Sequence, residues 1–445
     1  MNRNFFMIVI CLTALLSPIK AGAEEKISLC ADVNNSSGNK SSYLKDIAAG
    51  NDGWIFAGLD FPALTPFDAN LADAFSRLSK ALAERKTKLL MVVVPSRGLL
   101  AYEQAPSDLM KKKRYDQTEA AQNYRARLMQ LEKMGIAAPD LLTALSKADA
   151  PDKVFFRRDH HWTPFGAQLA AQAVADTVRK SSAYVNMTKS DFTLIEGKQV
   201  ANEGSIETVV EKACGKDIAD ELYTTTLTTE KSESAGLLDD AGADIVLVGT
   251  SLSNRDERDS LNFVGALRHY IGVDVDNRAV AGGGTDTSPV SYLQSEDFIN
   301  APPKLLIWEM PANYLLSDYS KMMPLFSQLI PQVKGACSEK NALAKGAGTL
   351  GQSAILIAGQ TTVAAASDFI YIEVSDLGLT EFVLTFKGAN NQDEQIAINR
   401  KTRAVNSGRY YVEVPKAVGN TIREVGITSK QKVSGTFVAR LCAGQ

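Results

Sequence analysis

The chain has 445 residues, with 48 Lys+Arg against 51 Asp+Glu and a formal net charge of −3. A balance this near neutral argues against a nucleic-acid partner, and the length suits two or three domains. Only 3 histidines are present, so imidazole chemistry at neutral pH is confined to very few places.

The chain opens Met1-Asn2-Arg3-Asn4, continues with an apolar run over 5–16, and reaches small residues ending Ala21-Gly22-Ala23. A basic start, an apolar stretch too short to span a bilayer and a small-residue site predict a secretory signal peptide over 1–23. Cleavage is expected after Ala23, with Ala21 as the alternative. No later segment is apolar for long enough to cross a membrane, so the product is expected in the periplasm. Cys11 lies in the apolar run and leaves with it. Cys30, Cys214, Cys337 and Cys442 remain, an even set that predicts two disulfides in an exported protein. Of the three connectivities, Cys30–Cys214 with Cys337–Cys442 is preferred, because each pair then braces one domain. No C-x-x-C occurs and no metal is expected.

Residues 70–85 read as a helix. Residues 88–95 (KLLMVVVP) form a continuous apolar run ended by proline, as expected of a buried parallel strand. Further helices are predicted over 117–134 and 164–181, the latter with Pro164 in its first turn and Thr163 or Asp159 as its cap. Residues 188–239 are polar and rich in Thr, Glu and Lys, and are expected to decorate the sheet as irregular structure or small strands. Residues 243–249 (ADIVLVG) and 304–309 (KLLIWE) are two more buried strands. Alternating strands and helices imply a mostly parallel α/β sheet covered by helices on both faces, with ligands beyond the carboxyl ends of the strands. After Val333 the pattern changes to short runs separated by Gly, Asn and Asp, which predicts an all-β sandwich of about a hundred residues. The expected division is 1–23, 24–335 and 336–445.

Two segments carry the chemistry. In Arg158-Asp159-His160-His161-Trp162 the Asp159-x-His161 spacing lets a carboxylate orient an imidazole and stabilise its charged form. In Gly249-Thr250-Ser251 a serine stands at the end of a buried strand, where Gly249 permits a sharp departure. By itself that serine reads as a helix cap. With a base and an orienting carboxylate available, it reads as a nucleophile. His269, on a helix predicted over 259–270, is expected to be structural.

These features resemble the AlgX/AlgJ group of SGNH-hydrolase-like polysaccharide O-acetyltransferases. The resemblance rests on Gly50-Asn51-Asp52-Gly53-Trp54-Ile55-Phe56, Val92-Val93-Val94-Pro95-Ser96-Arg97, Asp159-His160-His161-Trp162, Gly249-Thr250-Ser251, Gly282-Gly283-Gly284 and Ile307-Trp308-Glu309-Met310-Pro311. It covers essentially the whole mature chain. It implies a permuted SGNH-like sheet, a C-terminal β-sandwich carbohydrate-binding module and the disulfides preferred above. It also implies a catalytic set of Ser251, His161 and Asp159, with His160 as the intervening position. The oxyanion hole would come from the Ser251 N–H and a glycine of 282–284, with Gly283 and Gly284 as candidates. Asn254, Arg255 and Tyr314 are candidate wall residues. Ser96-Arg97 stands where relatives place an acidic or amide residue and a lysine.

The implied reaction moves acetyl through an acetyl-serine to an acidic, alginate-like polysaccharide. The donor would come from membrane acetylation machinery, within a polysaccharide export complex. No nucleotide or CoA motif is visible, and no cofactor is expected. In the sandwich, Lys387, Arg400, Lys401, Arg403 and Arg409, beside Tyr410 and Tyr411, are candidates for binding carboxylates and sugar faces. The alternatives are a non-catalytic polysaccharide-binding scaffold and a carbohydrate acetyl esterase, since one triad serves both transfer and hydrolysis.

Overall fold

The computed structural model describes residues 27–35, 38–41, 43–231, 242–254, 261–389, 392–400 and 406–444. The signal peptide expected over 1–23 lies outside the described residues, as do Arg255, Lys401 and Arg403. Among the described residues no helix is long and apolar enough to cross a membrane.

The site is built on a four-stranded, wholly parallel sheet in the order Lys88–Val94, Leu305–Pro311, Ile245–Val248, Val275–Asn277. Side chains alternate across a strand, and here both faces are covered, which is why the strands are apolar at nearly every position. Leu90, Val92 and Val94 enter one core with Ala167, Ala170 and Val174 of the helix Pro164–Lys180 and Phe263, Val264 and Leu267 of the helix Phe263–Ile271. Leu89, Met91 and Val93 enter the other core, with apolar stripes from the helices Ala69–Glu84, Gln117–Lys133 and Tyr319–Lys334. The sheet with helices on both faces is the architecture expected from the sequence.

Residues 188–231 are more ordered than predicted. A long antiparallel hairpin, Phe192–Asn202 with Glu221–Glu230, encloses the helix Ser205–Cys214. Cys214 at that helix end is bonded to Cys30, with Cα atoms 5.5 Å apart. The bond ties the N-terminal segment to the hairpin through an apolar cluster of Val33, Ile47, Ile55, Ile206 and Val210.

The C-terminal strands form two four-stranded antiparallel sheets. Their inner faces, with Ile370, Ile372, Leu384, Phe386, Val425 and Leu441, share one core. Cys337, just after the helix Tyr319–Lys334, is bonded to Cys442 in the last strand. The sandwich is also fastened to the parallel-sheet unit by polar contacts. Arg77 meets Glu413 at 2.5 Å, and Arg409 meets Glu296 at 2.7 Å.

Candidate active site

The strand Ile245–Val248 runs in register with Leu305–Leu306-Ile307-Trp308, so Glu309 falls beside Gly249 at the carboxyl rim. Glu309 is fully buried. Its carboxylate accepts from the Thr250 backbone N–H at 2.8 Å, from the Thr250 hydroxyl at 3.0 Å and from the Ser253 hydroxyl at 3.0 Å. A Cβ on Gly249 would stand 2.6 Å from the Glu309 carboxylate and 3.2 Å from its backbone oxygen. The glycine is therefore needed for close approach of the buried carboxylate rather than for the sharp departure expected. Burial pushes the Glu309 carboxyl up to about 7, against the pull of these donors. The turn that follows is closed by Ser253 N–H and Asn254 N–H donating to Thr250 O, and it presents Ser251 at the rim.

The imidazole arrives from a second direction. Glu221 of the hairpin accepts the backbone N–H groups of Arg157 and Arg158 at 3.0 and 2.9 Å. Trp162 is fully buried and donates from Nε1 to Leu252 O at 3.0 Å, joining this segment to the serine turn. Thr163 caps the helix Pro164–Lys180, its Oγ1 accepting from Gly166 N–H at 3.1 Å. Asp159 is left for a different task. Its Oδ1 lies 2.7 Å from His161 Nδ1 and also accepts the His161 backbone N–H at 3.1 Å. His161 Nε2 lies 2.8 Å from Ser251 Oγ. Asp159 and His161 are 0% and 5% exposed, so bulk water does not compete for this chain of contacts.

Ser251 borders a cleft of about 60 Å³, with Tyr43, His160, Gly282, Gly284 and Tyr314 among its other walls. That space suits a small acyl group. Ser251 and Gly284 both border this cleft. Gly284 has φ +67°, a left-handed conformation that favours glycine. Gly283 differs from the expectation. Its N–H donates to Val280 O within the turn, and a Cβ there would meet Thr287 at 2.9 Å, so it supports the turn from behind. Asn254 also differs, since its carboxamide donates to Ala279 O at 3.0 Å and braces the loop. Tyr314 does line the cleft, and burial pushes its hydroxyl pKa up.

The other cations already have partners. Arg97 borders the cleft but is 2% exposed; it donates to Asp60, Ile55 O and Arg157 O and lies beside the stacked rings of Trp54 and Phe56. Arg400 is 5% exposed and stacked on Tyr410 at 3.8 Å, with its guanidinium donating to Asn406 and to Arg409 O. Arg409 pairs with Glu296, and Lys387 with Glu424 at 2.8 Å. The cationic sugar face expected from Lys387, Arg400 and Arg409 is thus not assembled, because strand packing turns these side chains to separate tasks. His269 Nδ1 lies 2.7 Å from Phe192 O, a structural role. Reading the sequence missed the part played by Glu309. Its signal was a lone carboxylate ending the apolar run 304–309.

Known proteins add a consistent picture. The family model described as "SGNH hydrolase-like domain, acetyltransferase AlgX" matches residues 47–312. The alginate biosynthesis protein AlgX of Pseudomonas syringae is 30% identical over 407 residues, spanning 88% of this chain and 82% of that one. The probable alginate O-acetylase AlgJ of Azotobacter vinelandii is 32% identical over 327 residues, spanning 68% and 78%. The solved structure of Pseudomonas aeruginosa AlgX superposes with a TM-score of 0.79 at 25% identity, covering 94% of this chain and 100% of that one. The O-acetyltransferase domain of Pseudomonas putida AlgJ superposes with a TM-score of 0.50 at 26% identity, covering 65% and 98%. The chain belongs to the AlgX family of SGNH hydrolase-like acetyltransferases.

Proposed function

We propose that this chain is a periplasmic O-acetyltransferase that moves acetyl groups onto an exported acidic polysaccharide, alginate or a similar polyuronate, through an acetyl-Ser251 intermediate. The observation that carries the reading is the contact chain Asp159 Oδ1–His161 Nδ1 at 2.7 Å and His161 Nε2–Ser251 Oγ at 2.8 Å, at the mouth of a cleft. Relatives named for alginate biosynthesis and alginate O-acetylation support the choice of polymer.

In the first half-reaction His161 Nε2 takes the Ser251 proton as Oγ attacks the acetyl carbonyl. Asp159 holds the ring in the tautomer that can accept it and stabilises the imidazolium. The Ser251 and Gly284 N–H groups meet the oxygen as it becomes negative. His161 then protonates the leaving group. In the second half-reaction a sugar hydroxyl gives its proton to His161 and attacks the acetyl-serine. In this reading residues 24–335 carry the chemistry and residues 336–445 act as a carbohydrate-binding module that brings polymer to it. The acetyl donor comes from membrane acetylation machinery, and the disulfides Cys30–Cys214 and Cys337–Cys442 fit an extracytoplasmic setting.

The test is incubation with a small acetyl ester, with and without oligouronate. Acetyl should appear on the sugar, and Ser251→Ala should abolish it, a loss of at least roughly a thousandfold. Donor consumption with no acetyl on sugar would identify an esterase. Tight oligouronate binding with no ester turnover would identify a scaffold.

A further inference from the structure

Asp159 orients His161, so its own carboxylate has to be held. Asp159 Oδ1 is met by the backbone N–H of His161 at 3.1 Å and by the His161 ring Nδ1 at 2.7 Å. Both contacts lie within one short turn and move with it. The hydroxyl of Ser205 reaches the same oxygen at 2.9 Å, from a residue 46 positions further along the chain. Ser205 thus ties Oδ1 to a different element, the helix Ser205–Cys214.

The backbone sets where Ser205 stands. Ile206 N–H and Glu207 N–H donate to Arg158 O at 3.1 and 3.2 Å, which docks the first turn of the helix on the residue just before Asp159. Gly204 allows this approach, since a Cβ there would stand 2.5 Å from Arg158 O. Ile206 and Val210 anchor the helix in its apolar cluster, and Cys214 fixes its far end to Cys30. The helix therefore has a defined register against the Arg158–Asp159 backbone. Ser205 Oγ also lies 2.6 Å from His160 Nδ1, so the hydroxyl has two neighbours through which it could act.

We propose that Ser205 is a positioning residue for the acyl transfer, its hydroxyl donating to Asp159 Oδ1 and keeping that oxygen on His161 Nδ1. This rests on the acetyl-serine reading above. An ionised carboxylate only accepts, and a hydroxyl oxygen 2.9 Å from it is drawn there when the hydroxyl hydrogen lies between them. A carboxylate released to turn about its Cβ–Cγ bond would swing Oδ1 off the ring for part of the time, and the imidazole would lose its tautomer with it. Ser205 exchanges no proton with the substrate. Its contribution belongs to the chemical step rather than to ester binding.

The test follows the burst of leaving group from a chromogenic acetyl ester. Wild type should give a burst that Ser251→Ala removes. Ser205→Ala should slow the burst at saturating ester by roughly tenfold and leave the half-saturating ester concentration unchanged. Ser205→Cys, of similar size but a weak donor, should show the same loss. Ser205→Thr, which keeps the hydroxyl, should restore most of the rate. Ser205→Ala is then placed in two further backgrounds. In Asp159→Ala it should slow the reaction no further, because the group it acts through is gone. In His160→Ala its effect should remain. An equal loss in the Asp159→Ala background would mark Ser205 as part of the fold only, and an effect that vanishes in His160→Ala would route it through that ring; either result overturns the proposal. A loss carried by the half-saturating concentration, or Ser205→Thr as slow as Ser205→Ala, overturns it as well. Wild type without a Ser251-dependent burst would overturn the acyl-enzyme reading and this proposal with it. A normal wild-type burst with Ser205→Ala and Ser205→Cys at full rate would overturn this proposal alone.

Discussion

The parallel-sheet unit and the C-terminal sandwich both place polar side chains among aromatic rings, but to different ends. At the sheet rim, Asp159, His161 and Ser251 come from two segments far apart in the chain and converge within 2.8 Å contacts. In the sandwich, Arg400 is buried against Tyr410, while Arg409 and Lys387 face Glu296 and Glu424. Convergence at the rim rests on specific contacts: Trp162 Nε1 donates to Leu252 O and joins the histidine segment to the serine turn, which Glu309 holds from below. A run of cations along β-strands carries no such constraint, because alternate residues go to opposite faces. Motif spacing anticipated the contacts among Asp159, His161 and Ser251, whereas charge counting anticipated no particular contact in the sandwich.

The largest effect that would sharpen this contrast belongs to Asp159. Asp159→Asn keeps the shape but lets the ring take the wrong tautomer, and should lower acetyl-transfer kcat by roughly a thousandfold or more, measured with the small-ester donor. No comparable loss should follow from any single substitution in the sandwich. A sandwich variant that lost small-ester turnover to the same degree would break the comparison.

Next comes Glu309, which underlies the serine turn. Glu309→Gln should lower kcat by roughly ten- to a hundredfold by loosening that turn. It also carries a pH signature. The folded carboxyl is raised to about 7 from an ordinary 4.5, so the folded state holds a proton that the unfolded state has lost. Its contribution to stability is full below about pH 4.5 and fades as pH rises through about 7. Subtracting Glu309→Gln from wild type should reveal a decline of up to about 1.4 kcal/mol per pH unit across that window, read from urea midpoints. A pH-independent difference would remove Glu309 from the account.

The junction comes third. Arg77 faces Glu413, whose carboxyl burial pushes up to about 7 even beside the guanidinium. Arg77→Ala strands that carboxyl, but the Arg77 side chain is 25% exposed, so the cost should be about 1–3 kcal/mol rather than that of a fully buried pair. Small-ester turnover should be unchanged. The smallest effect belongs to the surface pair Lys387–Glu424, where Lys387→Ala should change stability by less than about 1 kcal/mol. A larger loss of oligouronate affinity in that variant would restore Lys387 as a sugar contact.

Much of this architecture was legible because burial on both sheet faces leaves continuous apolar runs, and 88–95, 243–249 and 304–309 each led to a strand. The hairpin Phe192–Asn202 with Glu221–Glu230 was not, because its strands are polar, rich in Thr and largely exposed, with Ile195, Leu222 and Leu227 facing outward. Leu194 and Tyr223 do pack against the core, but too few positions do so to give a clear period of two. The placement of Asp159, His161 and Ser251 was anticipated from spacing. The support beneath them was not, since Glu309 meets the serine turn through neighbours fixed only by strand register.

The most direct measurement is acid-quenched peptide mapping of wild type during turnover of a small acetyl ester. Acetyl should be found on the peptide bearing Ser251, should disappear on addition of oligouronate as acetylated sugar forms, and should be absent from Ser251→Ala. Undiminished turnover by Ser251→Ala, or an acetyl group carried on a different residue, would contradict the account.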